Sequence, residues 1–120
     1  MNKQELAAAM MRGIQTPGVQ ESDCMYVFKR GDFCEACALG AALIGKCNGD
    51  SSEAQEIWRA AHLRRIEDGP IATMSDMLSI PESLAEEVEL MHCDGRSIRE
   101  IVTWLNTEEG ESNVNDETPS

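Results

Sequence analysis

In Asn2 and Glu5, Asp32 and Glu35, Ser79 and Glu82, and Ser97 and Glu100, a capping residue is followed three positions later by glutamate. In such a pair the first side chain accepts from the backbone N–H of the glutamate, and the glutamate reaches back to the N–H of the first residue. Each pair therefore marks a helix start. Breaks follow at helical distances, at Gly13, Gly45, Gly69-Pro70 and Asp94-Gly95. A chain punctuated this way has to bury its apolar surface mainly by packing helix on helix.

Apolar spacing gives these segments their faces. A first helix is expected from Lys3 to Arg12, with Leu6, Met10 and Ile14 inward and Gly13 as its stop. After the Asp32 cap the run to Ile44 is apolar nearly all round, which predicts a buried central helix ending at Gly45. Within it Ala36, Gly40 and Ile44 share one side while Cys37, Ala41 and Gly45 share the next, so Gly40 is where another helix is expected to come close. Ser52 to Glu67 reads as a third helix, with Ile57, Trp58, Ala61, Leu63 and Ile66 inward and Glu56, Arg59, Arg64 and Arg65 solvated. Ile71 to Leu78 carries one or two helical turns. The Ser79 helix runs to about Cys93 over Leu84, Val88 and Met91, with Leu90 at its edge, and the Ser97 helix places Ile98, Ile101, Val102 and Leu105 inward.

One segment breaks the helical pattern. Thr16-Pro17-Gly18 is a turn, and Met25-Tyr26-Val27-Phe28 is a strand signal. A lone strand makes no sheet, so a short hairpin or an extended segment is expected there. The fold expected is mainly all-α, a compact bundle of about five helices forming one domain over residues 1–106. From Thr107 to Ser120 there are five acids, no bases and only Val114 as a sizeable aliphatic, so residues 107–120 are expected to form a disordered acidic tail.

Twenty-two acidic against ten basic residues give a formal charge of −12, which repels a phosphate backbone and argues against nucleic acid as a partner. No apolar run approaches membrane-spanning length, and nothing resembles a signal peptide, so no membrane is expected and the setting reads as cytoplasmic. The five cysteines, Cys24, Cys34, Cys37, Cys47 and Cys93, are too few and too unevenly spread for a secreted disulfide frame.

The motifs that could carry chemistry each meet a plainer reading. Cys34-Glu35-Ala36-Cys37 is a C-x-x-C, but a redox site of that type needs a central sheet. Cys24, Cys34, Cys37 and Cys47 are the ligand set if zinc binds; only one close pair is present, and thiols in an apolar helix behave as small core residues. His62 and His92 lack an H-E-x-x-H context, and neither a phosphate-binding loop nor a nucleophile elbow occurs, so no enzyme and no cofactor is expected. Arg30-Gly31-Asp32 reads as a turn. Glu89 to Leu105 starts like a helix-turn-helix, yet acidic residues follow where a recognition helix belongs, leaving a helical hairpin.

Two stretches carry a resemblance, Cys37-Ala38-Leu39-Gly40-Ala41-Ala42 and Gly95-Arg96-Ser97 through Ile101, Val102 and Trp104. They are similar to the C-A-L-G-A-A helix and the closing G-x-S-x-x-x-I-x-x-W helix of a family of small uncharacterised bacterial and phage proteins. The chain departs from it at Met91 and His92, where that family often places Asn-Asp, and around Ile80-Pro81, where some members carry Cys-Pro-x-Cys. The resemblance implies a bacterial or phage origin and a shared helical core, and no chemistry. By elimination the expected function is that of a non-enzymatic, protein-binding accessory or regulatory factor with an unknown protein partner. Glu82, Glu86 and Glu89 are its candidate contact residues, in a helix that also carries Glu87. A cysteine-based zinc module is the alternative.

Overall fold

The computed structural model describes residues 1–22, 26–31 and 33–117, without the side chains of residues 29, 30 and 108–117. In chain order it contains α1 (Lys3–Ile14), β1 (Val19–Glu21), β2 (Val27–Arg30), β3 (Phe33–Ala36), α2 (Ala38–Lys46), α3 (Ser51–Arg64), α4 (Pro70–Leu78), α5 (Glu82–Cys93) and α6 (Ile98–Glu117). Helices dominate, as expected, but among the described residues there are six rather than about five, because Pro70 opens a full helix where only a turn or two was expected. Proline suits a first helical position, since its missing N–H has no intrahelical partner there.

The larger correction is the sheet. Its order is β1-β3-β2, with β1 parallel and β2 antiparallel to the central strand. Phe33–Ala36, expected to open the buried helix, is that central strand, with Cys34 and Ala36 buried. The Asp32–Glu35 cap is therefore overruled: Glu35 lies in β3, Cys37 caps α2, and Asp32 itself lies outside the described residues. The physical reason is non-local. A strand from upstream supplies the second ladder that a lone strand lacks, and the register Arg30↔Phe33 leaves a two-residue connection that Gly31 enters at φ +55.

Helix α2 is the centre of the core and is buried from Ala38 through Gly45. Small residues let α1 approach it at backbone distance. A Cβ built on Gly13 would stand 1.8 Å from the Ala41 carbonyl oxygen, and one on Gly45 would stand 1.9 Å from that of Ala9. Gly13 therefore does not stop α1; it is the contact. Gly40 is also closely packed, but against the Tyr26 carbonyl, 1.4 Å from a built Cβ, and not against a helix.

Local signals elsewhere divide. The Asn2–Glu5 box forms as written, with reciprocal bonds of 2.8 and 2.7 Å, and so does Ser97–Glu100, at 2.8 and 3.1 Å. Ser79 is not the N-cap of α5: it is the C-cap of α4, in the left-handed region, and Pro81 stands at the N-cap of α5. Between α5 and α6, Gly95 at φ +101 donates to His92 and Arg96 donates to Met91, the paired bonds of a Schellman motif, so the segment is a helical hairpin. Ile98, Ile101, Val102 and Leu105 are all buried. Past them α6 continues to Glu117, through the acidic segment for which composition provides no buried anchor.

Candidate functional site

Two places bring chemistry-bearing residues together. The first is a polar cluster where β1, the start of α2 and the end of α5 meet. His92 is 1% exposed, and its Nε2 lies 2.8 Å from Oε2 of Glu21 at the end of β1. The same oxygen accepts the backbone N–H of Ile98 at 3.0 Å. One side chain thus ties the edge strand to both arms of the α5–α6 hairpin. Nδ1 of His92 and Oε1 of Glu89 are buried, with no hydrogen-bond partner among the described residues.

Neither member of the His92–Glu21 pair was singled out in that role from sequence. The signal was present for His92, since Ala85, Val88 and His92 share one helical face and are all buried. For Glu21 no local signal exists, because its partners lie more than seventy positions away.

Glu89 belongs to this cluster rather than to the acidic patch on which sequence placed it. Glu82 and Glu86 are exposed, but Glu89 is half-buried. Burial raises its carboxyl, against the opposing pull of a hydrogen bond to Cys37 and of the nearby His92. Helical periodicity puts the three on one face, and the start of α2 covers the end of that face.

The described cysteines are not assembled into a zinc site. Cys34 is buried in β3, Cys37 and Cys47 cap opposite ends of α2, and Cys24 lies outside the described residues. Cys37 and Cys47 stand ten positions apart, about 15 Å along a helix, whereas two sulfurs bound to one zinc at about 2.3 Å each lie within roughly 5 Å of one another. No group of three or more metal-ligating side chains gathers among the described residues. None of the described cysteines is disulfide-bonded.

Redox chemistry at Cys37 is opposed by the same surroundings. Burial pushes its thiol well above the ordinary range, and the charge of Glu89 pushes the same way. The N–H groups of Gly40 and Leu39 pull downward, with Gly40 N 3.5 Å from Sγ, and they lose. A thiol held protonated at neutral pH is neither a good nucleophile nor a ready ligand. Its visible role is to cap α2. Burial likewise raises Cys47, with Glu53 and Asp50 adding to it.

The second place is a surface cleft of about 520 Å³ between β2 and α3. Tyr26, Trp58 and His62 form a column of rings, with centroids 4.9 Å apart for the first pair and 5.0 Å for the second, the latter stacked at 11°. Arg59 and Phe28 complete the walls. Sequence placed Ile57, Trp58, Ala61, Leu63 and Ile66 inside, but of these only Trp58 is buried; Ala61 is partly covered, and Ile57, Leu63 and Ile66 are 38%, 68% and 62% exposed. The inward positions of α3 are Ala54 and Trp58. Phe28, 42% exposed, lines the cleft from the β2 side.

No helix among the described residues is long and apolar enough to cross a membrane. Comparison with family models, with curated proteins and with solved structures finds no match to this chain.

Proposed function

We propose that this chain is a cytoplasmic, non-enzymatic protein-binding factor, of accessory or regulatory type and, as its two motifs imply, of bacterial or phage origin. Its contact surface is the outer face of α3 beside β2. The observation that carries this reading is that Phe28, Leu63 and Ile66 are exposed outside the core, Phe28 lining the ring-walled cleft with Arg59 and Leu63 standing one helical turn beyond Arg59. Exposed apolar residues on an element that also presents Trp and Arg have the make-up of a protein contact centre. The acidic face of α5, with Glu82 and Glu86, is a second contact candidate, supported by exposure and charge alone.

Photo-cross-linking tests the reading. A photoreactive residue in place of Leu63 should join the chain to a discrete protein in an extract of its native host, while the same residue at exposed Gln4 on α1 should not. Equal labelling from both positions, or none from position 63, would remove the α3 face from the account.

A further inference from the structure

From two buried polar atoms that share one turn of α5 we infer a binding site for a single internal water molecule, held between His92 and Glu89. His92 is 1% exposed, and its ring is fixed through Nε2, 2.8 Å from Oε2 of Glu21. Its Nδ1 and the Oε1 of Glu89 are both buried, and neither has a hydrogen-bond partner among the described residues. Residues 89 and 92 are three positions apart on α5, a spacing that stacks side chains on one face with Cβ atoms about 5–6 Å apart. Native interiors leave very few such atoms unpaired; a protein group or an ordered water takes the bond.

The chemistry of the pair selects the ligand. Nδ1 accepts a hydrogen bond when the ring is neutral with its proton on Nε2, and donates one when the ring is charged, while an ionised Oε1 only accepts. Water both donates and accepts, so it serves the pair in either state of the ring. An anion would face the Glu89 carboxylate. A metal ion would find no third ligating side chain gathered with these two among the described residues.

The water also joins two hydrogen-bonded pieces into one network. Glu21 pairs with His92 and accepts the N–H of Ile98 at 3.0 Å, and Glu89 is hydrogen-bonded to Cys37, the cap of α2. Bridged between Nδ1 and Oε1, the chain of bonds runs from β1 and the first residue of α6 through α5 to the start of α2. A fully satisfied network of this kind fixes one arrangement of the elements it joins. Here it sets the α5–α6 hairpin, whose outer face carries Glu82 and Glu86.

Crystallography and water-selective NMR of the full chain test the site. Electron density should show one peak within about 2.7–3.2 Å of both Nδ1 and Oε1. The His92 ring protons should give nuclear Overhauser cross-peaks to water with the sign of a bound, slowly exchanging molecule. Glu89→Gln keeps an acceptor at the site and should keep both signals. Glu89→Leu removes it and should lose both, with far-ultraviolet circular dichroism checking that the variant is folded. Direct contact between Nδ1 and Oε1 in the wild-type chain, or the absence of either signal from it, overturns the inference whether or not Glu89→Leu folds. So does anomalous scattering from a metal at the peak, and so do cross-peaks that persist in folded Glu89→Leu, since water would then reach His92 without Glu89.

Discussion

Helices α2 and α3 both carry large apolar side chains and meet opposite fates. α2 is buried along almost its whole length, while α3 covers only Ala54 and Trp58 and leaves Ile57 and Leu63 outside, with Ile66 just beyond its end. Hydropathy separates them in part, since α2 is apolar nearly all round while α3 carries Glu53, Glu56, Arg59 and Arg64; side-chain size adds to the difference. α2 brings Gly40, Ala41 and Gly45 to its two packing surfaces, so that backbone carbonyls of Tyr26 and Ala9 come within reach and α1 settles on it through Gly13. α3 has no glycine and meets β2 and the core through one bulky residue, Trp58. A helix that admits neighbours at backbone distance becomes interior, whereas one that stands off on a large ring keeps its other apolar residues available for a partner.

The largest expected effects come from filling the tight face. Gly45→Leu and Gly40→Leu should each destabilise by about 3 kcal/mol or more, at the top of the usual overpacking range, because the obstructing atoms are backbone and cannot rotate away. Denaturant melts decide this. A loss below about 1 kcal/mol at either position would mean that α2 is not packed as described.

Next in size is the tie between β1 and the α5–α6 hairpin. Glu21→Ala leaves the buried Nε2 of His92 and the N–H of Ile98 without their acceptor, and should cost about 1–3 kcal/mol. Glu21→Gln retains an acceptor and should cost less. Equal stability of wild type and Glu21→Ala would show that the pair contributes nothing.

Alkaline stability probes the base of α2. Cys37 and Tyr26 are both raised, chiefly by burial and then by Glu89, so the folded chain keeps protons that the unfolded chain releases. Wherever the folded state binds more protons, stability falls with rising pH. Thermal stability should therefore decline as pH passes 9.0, the ordinary value of the thiol. Cys37→Ser keeps the cap and removes that titration, and should make the decline shallower. An identical slope in the two chains would contradict the assignment.

The smallest effect is expected at the acidic end. Removing residues 107–120 should shift the melting temperature by less than about 5 °C, since five acids with only Val114 as a sizeable aliphatic give that stretch of sequence little to bury. A larger fall would show that the segment docks.

What was legible in the sequence was what is local. The Asn2–Glu5 and Ser97–Glu100 boxes need only their own turn, and both formed. The Asp32–Glu35 pair has the same spacing but was overridden by a ladder from β1, which no window around residue 32 contains. Gly40 announced a close approach without naming the carbonyl that makes it, and the C-x-x-C could not reveal that Cys37 is set beside a half-buried Glu89. On α3 the periodicity identified Trp58 correctly. It failed for Leu63 and Ile66 because no other part of the described structure reaches over them, and a spacing rule cannot register the absence of a neighbour.

The contrast between the two helices rests on Leu63 and Ile66 lying outside the core, and equilibrium denaturation of Leu63→Ser/Ile66→Ser tests that most directly. Stability within about 0.5 kcal/mol of wild type is expected, as for surface positions. A loss of roughly 2 kcal/mol or more, the size of a core truncation, would place both residues inside and leave α3 with no face to offer a partner.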